Sequence, residues 1–142
     1  MKTRIACLFA APLLTLAVAA HAADPVYITL DHSTDTVMDK TSAQAIWAEG
    51  LAGKALKLNK LYPTKRWGFV SEVEGGFNQA KTCVVTARVM MMPVSGKSLV
   101  FKPSKTATAF DALPNATREQ CQEAAKAKLK EAVQGVLSSL SN

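Results

Sequence analysis

The sequence predicts an α+β fold, in which an antiparallel meander of three to five strands is flanked by an N-terminal and a C-terminal helix. Three observations support this fold class. Apolar and polar residues alternate through residues 66–110, apolar residues recur every three or four positions on either side of that region, and the meander and the last segment each contain a cysteine. Residues 23–142 are therefore expected to form a single domain.

The first 22 residues have the features of a cleaved signal peptide. Lys2 and Arg4 give a positive start, an apolar run follows, and residues 20–22 (Ala-His-Ala) match the small-x-small pattern that signal peptidase cuts. Pro12 interrupts the run, which is also shorter than the roughly 20 apolar residues needed to span a bilayer. We expect cleavage before Ala23 and export to a bacterial periplasm, with full secretion as the alternative.

Cleavage leaves 120 of the 142 residues and lowers the formal charge from +6 to +4, because the leader carries two basic residues and no acidic one. Such a chain holds one small domain, and no later segment reaches the length of an integral membrane span. The basic residues are scattered and the chain is expected to be exported, so nucleic acid is not an expected partner.

Two cysteines, Cys83 and Cys121, remain after cleavage. An even number of cysteines in an oxidising compartment predicts a disulfide, and two thiols allow only one intramolecular pairing. The bridge would close a loop of 38 residues, for which chain entropy is worth roughly 4 kcal/mol. The sequence has no C-x-x-C motif, which argues against a redox or metal role for this pair.

The domain begins with a short β-type run, residues 26–30, and a polar loop, residues 31–41. A capping-box pattern at residues 41–44 (Thr-Ser-Ala-Gln) then opens a first amphipathic helix, which Tyr62 and Pro63 end. The apolar side chains of this helix recur at spacings of three and four: Ile46, Trp47, Leu51, Ala55, Leu58 and Leu61.

Alternation predicts the register of the meander. With residues 75–77 (Gly-Gly-Phe) as the first turn, Phe69 faces Cys83, and the second turn falls at residues 95–97 (Ser-Gly-Lys). Residues 106–110 are expected to add a fourth strand. This register collects the large apolar residues on one face: Trp67, Phe69, Val73, Cys83, Val85, Ala87, Val89, Met91, Leu99 and Phe101.

The C-terminal helix is the most clearly predicted element. Thr117 and Gln120 form a capping box at its start. Its apolar stripe consists of Cys121, Ala125, Leu129, Ala132, Val133, Val136 and Leu140. Because Cys121 lies on this stripe and Cys83 lies on the apolar sheet face, the disulfide and the hydrophobic pattern require the same packing of helix on sheet.

No residue pattern in the domain predicts an enzyme, a metal site or a cofactor. Residues 95–98 (Ser-Gly-Lys-Ser) match the end of a P-loop, but Met91 occupies the position of its first glycine. Glu72 and Glu74 share the solvent face of a strand, where exposed glutamates are ordinary. The remaining cluster lacks the ligand spacing of a cation loop and is interpreted as a solvated approach to a helix: Asp31, His32, Asp35 and Asp39.

The second face of the meander is unusually apolar for a solvated surface. We predict that it binds a partner through Val70, Val84, Arg88, Met90, Met92, Val100 and Lys102. The sequence leaves open whether the first helix covers this face.

The predicted function is that of a non-enzymatic binding protein, such as an inhibitor, an immunity protein or an accessory factor. Its expected partner is another envelope or secreted protein, which it would contact through the second sheet face or a protruding hairpin tip. The alternative is a carrier or sensor of a small apolar or anionic ligand. Such a ligand would lie in a helix–sheet pocket near Trp47, Trp67 and methionine side chains.

Overall fold

The computed structural model describes residues 25–141, so the predicted signal peptide and its cleavage site lie outside the described residues. This part of the chain combines strands and helices, which confirms the α+β class. In chain order the elements are β1 (Thr29–Asp31), α1 (Lys40–Leu51), α2 (Ala55–Leu61), β2 (Trp67–Phe77), β3 (Thr82–Ser95), β4 (Ser98–Leu99), β5 (Lys105–Pro114) and α3 (Arg118–Ser139). No helix among residues 25–141 is long and apolar enough to cross a membrane.

The sheet is mixed, so the prediction of a purely antiparallel meander is wrong. β2 lies between β1 and β3, and β3 also pairs with β4 and β5. β1 runs parallel to β2, whereas the other pairs are antiparallel. Parallel neighbours need a long crossover, and α1 and α2 supply it between these two strands. The fourth strand expected at residues 106–110 is confirmed as part of β5.

The hairpin between β2 and β3 turns at Asn78–Lys81 instead of residues 75–77. The Asn78 side-chain oxygen accepts hydrogen bonds from the backbone N–H groups of Ala80 and Thr82 at 2.9 and 3.0 Å. Lys81 adopts a left-handed φ of 56°. An asparagine side chain satisfies the backbone donors that a tight bend exposes. This local chemistry, rather than the preceding glycine pair, places the turn.

The predicted register is therefore wrong, although the predicted face is largely right. Phe69 pairs with Met91 instead of Cys83, and Cys83 pairs with Phe77. The displacement from the predicted pairing is an even number of residues, so side chains keep their faces. The face of β2 and β3 that was predicted to be apolar carries these buried apolar residues: Phe69, Val73, Cys83, Val85, Ala87, Val89 and Met91.

The second turn is one residue shorter than predicted. Val94 pairs with Leu99, which leaves residues 96–97 as the turn, whereas a three-residue turn would pair Pro93 with Leu99. A displacement by one residue moves a side chain to the opposite face of a sheet. Leu99 consequently packs with the residues of the second face, and Phe101 lies beside that face. The prediction that these two side chains lie on the same face as Phe69 and Val85 is therefore wrong.

The predicted first helix is divided into α1 and α2, with Gly53 between them at a left-handed φ of 68°. Its start is also different, because Asp39 and not Thr41 is the N-cap. The Asp39 carboxylate accepts a hydrogen bond from the Ser42 backbone N–H at 2.8 Å and another from its hydroxyl at 2.6 Å. These bonds lower the pKa of Asp39 from its ordinary value. An aspartate there also suits the positive end of the helix dipole.

α1 and α3 pack side by side on the same face of the sheet, which we call the inner face. The rings of Trp47 in α1 and Phe69 in β2 lie 5.1 Å apart. A Cβ added at Gly50 would lie 2.6 Å from the Val133 side chain, so this glycine allows α1 to approach α3 closely. The predicted α3 stripe is confirmed as buried: Cys121, Ala125, Leu129, Ala132, Val133, Val136 and Leu140.

The disulfide between Cys83 and Cys121 is present and joins β3 to the first turn of α3. The two Cα atoms lie 5.7 Å apart, within the usual range for a bridge. Thr117 and Gln120 form the predicted capping box directly before Cys121. The start of α3 is thus held by side-chain capping and by a covalent bond to the sheet.

A hydrogen-bond network centred on the buried Ser71 attaches β1 to the sheet and to α1. Ser71, which is fully buried, donates to the Asp31 carboxylate at 2.6 Å and accepts from the Trp47 indole N–H at 3.1 Å. Asp31 also accepts from the Ser33 hydroxyl, which in turn accepts from the Val73 backbone N–H. Asp31 therefore has a structural role as an acceptor within the fold.

Replacing Ser71 with alanine is expected to lower the free energy of unfolding by about 1–3 kcal/mol, because the Trp47 N–H would lose its acceptor in the core. Urea denaturation measured by circular dichroism tests this expectation. The matched control is Ser98→Ala on an exposed strand end, which should change stability by less than about 0.5 kcal/mol. Equal stability of Ser71→Ala and the wild type would show that the network does not contribute to the free energy of unfolding.

Candidate functional site

The sheet face opposite α1 and α3, which we call the outer face, has a small apolar cluster of its own. Val70, Met90 and Met92 are only 5%, 4% and 1% exposed, and Leu99 packs against them. This cluster is separate from the main core on the inner face. The described part of the chain therefore buries apolar residues on both sides of one sheet, with α1 and α3 on the inner side.

Strand alternation explains why the methionine run serves both faces. Met91 belongs to the main core, whereas Met90 and Met92 point to the outer face. In the sheet register Met90 pairs with Val70, and Val70 pairs with Leu30 of β1. An apolar row thus crosses three strands of the outer face.

The β3–β4 hairpin covers one end of the outer cluster. Leu99 lies above Gly68, where an added Cβ would be 2.7 Å from the Leu99 Cδ2 atom and 2.8 Å from the Ile28 carbonyl oxygen. Gly68 pairs with Met92, so Leu99 and the absence of a side chain at Gly68 together explain how Met92 is buried without a helix above it. Close packing of this kind requires glycine.

Beside this hairpin lies a groove of about 280 Å³ with Val70, Met90 and Met92 among its lining residues. Leu30 and Leu99 add apolar walls, His32, Glu72 and Arg88 add polar groups, and Phe101 completes the lining. Phe101 is 81% exposed. A large aromatic residue at the edge of an apolar groove is a feature of partner-binding surfaces.

Arg88 and Glu72 form the charged side of the groove. They are cross-strand neighbours, and their charged groups lie 3.7 Å apart. Exposed ion pairs of this kind contribute about 0–1 kcal/mol, so the interaction leaves Arg88 available to an anionic group of a partner. Glu72 therefore interacts with arginine instead of forming a carboxylate pair with Glu74.

The structure brings together four of the seven residues predicted for the partner surface. Val70, Arg88, Met90 and Met92 line the groove. Val84 is exposed towards the other end of β3. Val100 and Lys102 lie in the loop after β4, not on a strand, because β4 ends at Leu99. Their placement on a continuous strand was wrong, and the binding role of all seven stays a prediction.

Sequence reasoning missed other residues that line the groove: Leu30, His32, Leu99 and Phe101. His32 and Leu30 reach it only through the parallel pairing of β1 with β2, which has no local signal in the sequence. The predicted three-residue turn is one residue too long, and it therefore places Leu99 and Phe101 on the wrong face. A two-residue hairpin turn at Gly96, which has a left-handed φ of 63°, was the available signal.

The acidic cluster and the P-loop-like segment have structural positions. Asp31 belongs to the hydrogen-bond network around Ser71, and Asp39 caps α1. Among residues 25–141 no group of three or more histidine, cysteine, aspartate or glutamate side chains is placed to hold a metal ion. Residues 95–98 span the β3–β4 turn and do not precede a helix, as a P-loop requires.

The residues predicted to line a helix–sheet pocket are divided between the main core and the outer face. Trp47 is buried in the main core, and Trp67 packs near Tyr62 with ring centroids 6.3 Å apart. Met90 and Met92 belong to the outer face. Met90 and Met92 therefore do not share a cavity with the two tryptophans, whereas Met91 lies in the main core with Trp47.

No protein-family model matches the chain, and no curated protein matches it. Solved structures with a similar chain path include a variant PelC dodecamer from Paraburkholderia phytofirmans, 13% identical, with a TM-score of 0.46 over 81% of this chain and 90% of that chain. A second PelC dodecamer from the same organism is 12% identical, with a TM-score of 0.44 over 81% of this chain and 91% of that chain. At these scores the similarity carries no argument about function.

Replacing Gly68 with alanine is expected to destabilise the outer cluster. The new methyl group would press on the Ile28 carbonyl and displace Leu99, at a cost of about 1–3 kcal/mol in the free energy of unfolding. Urea denaturation provides the measurement. The control is Glu74→Ala, an exposed change on the outer face of the same strand, which should cost less than about 0.5 kcal/mol. Equal effects of the two changes would contradict the packing described for Leu99.

Proposed function

We propose that the mature chain is an exported, non-enzymatic binding protein that contacts another envelope or secreted protein through its outer face. The main support is the groove, where Val70, Met90 and Met92 form an apolar base beside the exposed ring of Phe101. Aromatic, methionine and arginine side chains are enriched at protein interfaces, and this groove contains all three types.

Two features support export. The leader has the composition of a signal peptide. The fold contains a disulfide between Cys83 and Cys121, a bond that reducing cytosol does not maintain in most proteins. We propose the periplasm as the destination, with full secretion as the alternative.

A small ligand is the second candidate occupant of the outer face. The groove volume of about 280 Å³ is near the lower end of small-molecule sites, and Arg88 offers a cation to an acidic group. This candidate uses the outer groove instead of the helix–sheet pocket that the sequence predicted. A protein partner is favoured because the exposed Val84 and Val100 add apolar surface outside the groove.

Affinity capture with variants tests the proposal. Immobilised mature protein, residues 23–142, is exposed to envelope extract of the producing bacterium, and retained proteins are quantified by mass spectrometry. Phe101→Ser and Arg88→Glu should each reduce capture of one stoichiometric protein at least about tenfold, the loss expected when an interface anchor is removed.

The matched control is Leu61→Ser, which removes an exposed apolar side chain from α2, away from the outer face. This variant should retain full capture. Equal capture by all four proteins, or loss only in Leu61→Ser, would overturn the proposal. Retention of a small molecule by the wild type that is lost in Phe101→Ser would establish the second candidate.

A further inference from the structure

β5 forms one edge of the sheet and pairs with β3 alone among the described strands. It runs from Lys105 to Pro114, and its only proline is the last residue. Edge strands of this length expose unpaired backbone donors and acceptors, and proteins commonly block them with proline or charged residues. The stretch from Thr106 to Phe110 contains neither.

The hydrogen-bond pattern identifies the backbone groups at the free edge. The Val94 N–H donates to the Arg66 carbonyl, and the Asn78 N–H donates to the Thr82 carbonyl. The backbone groups of even-numbered residues in β3 therefore bond to β2. The backbone groups of odd-numbered residues in β3 are then directed towards β5. Consistent with this, the Met91 carbonyl accepts a hydrogen bond from the Ser104 N–H, directly before β5. Because odd residues pair with odd residues between β3 and β5, the even residues of β5 direct their N–H and C=O groups outwards.

The outward groups belong to Thr106, Thr108 and Phe110. The side chain of Phe110 is 76% exposed, although it is large and apolar. At the end of the strand the Ala112 N–H is already bonded to the Asp111 side chain at 2.9 Å. The segment available for pairing therefore extends from Thr106 to Phe110.

This segment is complementary to a second copy of itself. An antiparallel pairing centred on Thr108 places Thr108 opposite its own equivalent and Phe110 opposite Thr106. The same register places Lys105 opposite Asp111 at both ends of the seam. A centre displaced to Ala109 would leave both charges opposite uncharged residues, so charge complementarity selects the first register.

We propose that two copies of the chain associate through β5, about a two-fold axis at Thr108, to form a homodimer with one continuous sheet. Each Phe110 then packs against the Thr106 methyl group of the other copy. Each Asp111 carboxylate lies 3.8 Å from Lys128 of its own copy and gains Lys105 of the other copy as a second cation. The two outer faces lie on the same side of the joined sheet. The dimer does not depend on the proposed partner.

Position-specific crosslinking tests the register. Directly bonded antiparallel neighbours have Cα atoms about 5.5 Å apart, within the range for a disulfide. Thr108→Cys should therefore give a covalent dimer under mild oxidation, seen on non-reducing gels. Thr106→Cys is the control, because equivalent residues at that position lie roughly 14 Å apart in the proposed register. Peptide mapping checks that the bridge between Cys83 and Cys121 is retained.

Charge exchange tests the ends of the seam by sedimentation analysis of the full mature chain. The wild type should show twice the monomer mass over a concentration series. Lys105→Asp and Asp111→Lys should each raise the dissociation constant about tenfold, because both symmetric pairs become repulsive, and the double exchange should restore dimerisation. A monomeric wild type, equal crosslinking by Thr106→Cys and Thr108→Cys, or no restoration in a double variant with native circular dichroism would overturn the proposal.

Discussion

The attachment of α3 to the inner face of the sheet is the constraint on which the remaining packing depends. Cys83 is buried on that face and is covalently bound to Cys121 in the first turn of α3. α3 then lies against β3 and β5, and α1 can approach it closely because residue 50 is glycine. Both helices are therefore on one side of the sheet, and on the other side Leu99 of the β3–β4 hairpin packs against the outer cluster.

The outer face follows from this one-sided arrangement. Strand alternation sends Met90 and Met92 to the side that has no helix, where Leu99 and the absent side chain at Gly68 allow them to be buried. What stays exposed is the edge of this cluster, with Phe101 and the guanidinium of Arg88. The groove thus results from the placement of both helices on the inner face. Its residue types are those enriched at protein interfaces, and flexible methionine side chains can adapt to the shape of a partner.

The sequence was sufficient to assign the two faces of β2 and β3 but not the register between these strands. Period-two alternation identifies the side of the sheet on which Phe69 or Val85 lies, and this assignment survives any even displacement of the strands. The turn itself is decided by local hydrogen bonds of Asn78, which competed successfully with two preceding glycines. The parallel pairing of β1 depends on contacts between residues that are far apart in the sequence, such as Asp31 and Ser71, which are 40 residues apart. No local sequence pattern predicts such a pairing. For the same reasons the sequence predicts the base of the groove, Val70, Met90 and Met92, but not the residues that β1 and the β3–β4 hairpin add to it.

Three consecutive methionines on β3 report directly on the central claim that α1 and α3 occupy one face only. Nuclear Overhauser spectra of the protein with 13C-labelled methionine methyl groups provide the measurement. The Met91 methyl should show cross-peaks to residues of the main core, whereas those of Met90 and Met92 should show cross-peaks to Val70 and Leu99. Cross-peaks from Met90 or Met92 to Trp47 or to any residue of α3 would contradict the account.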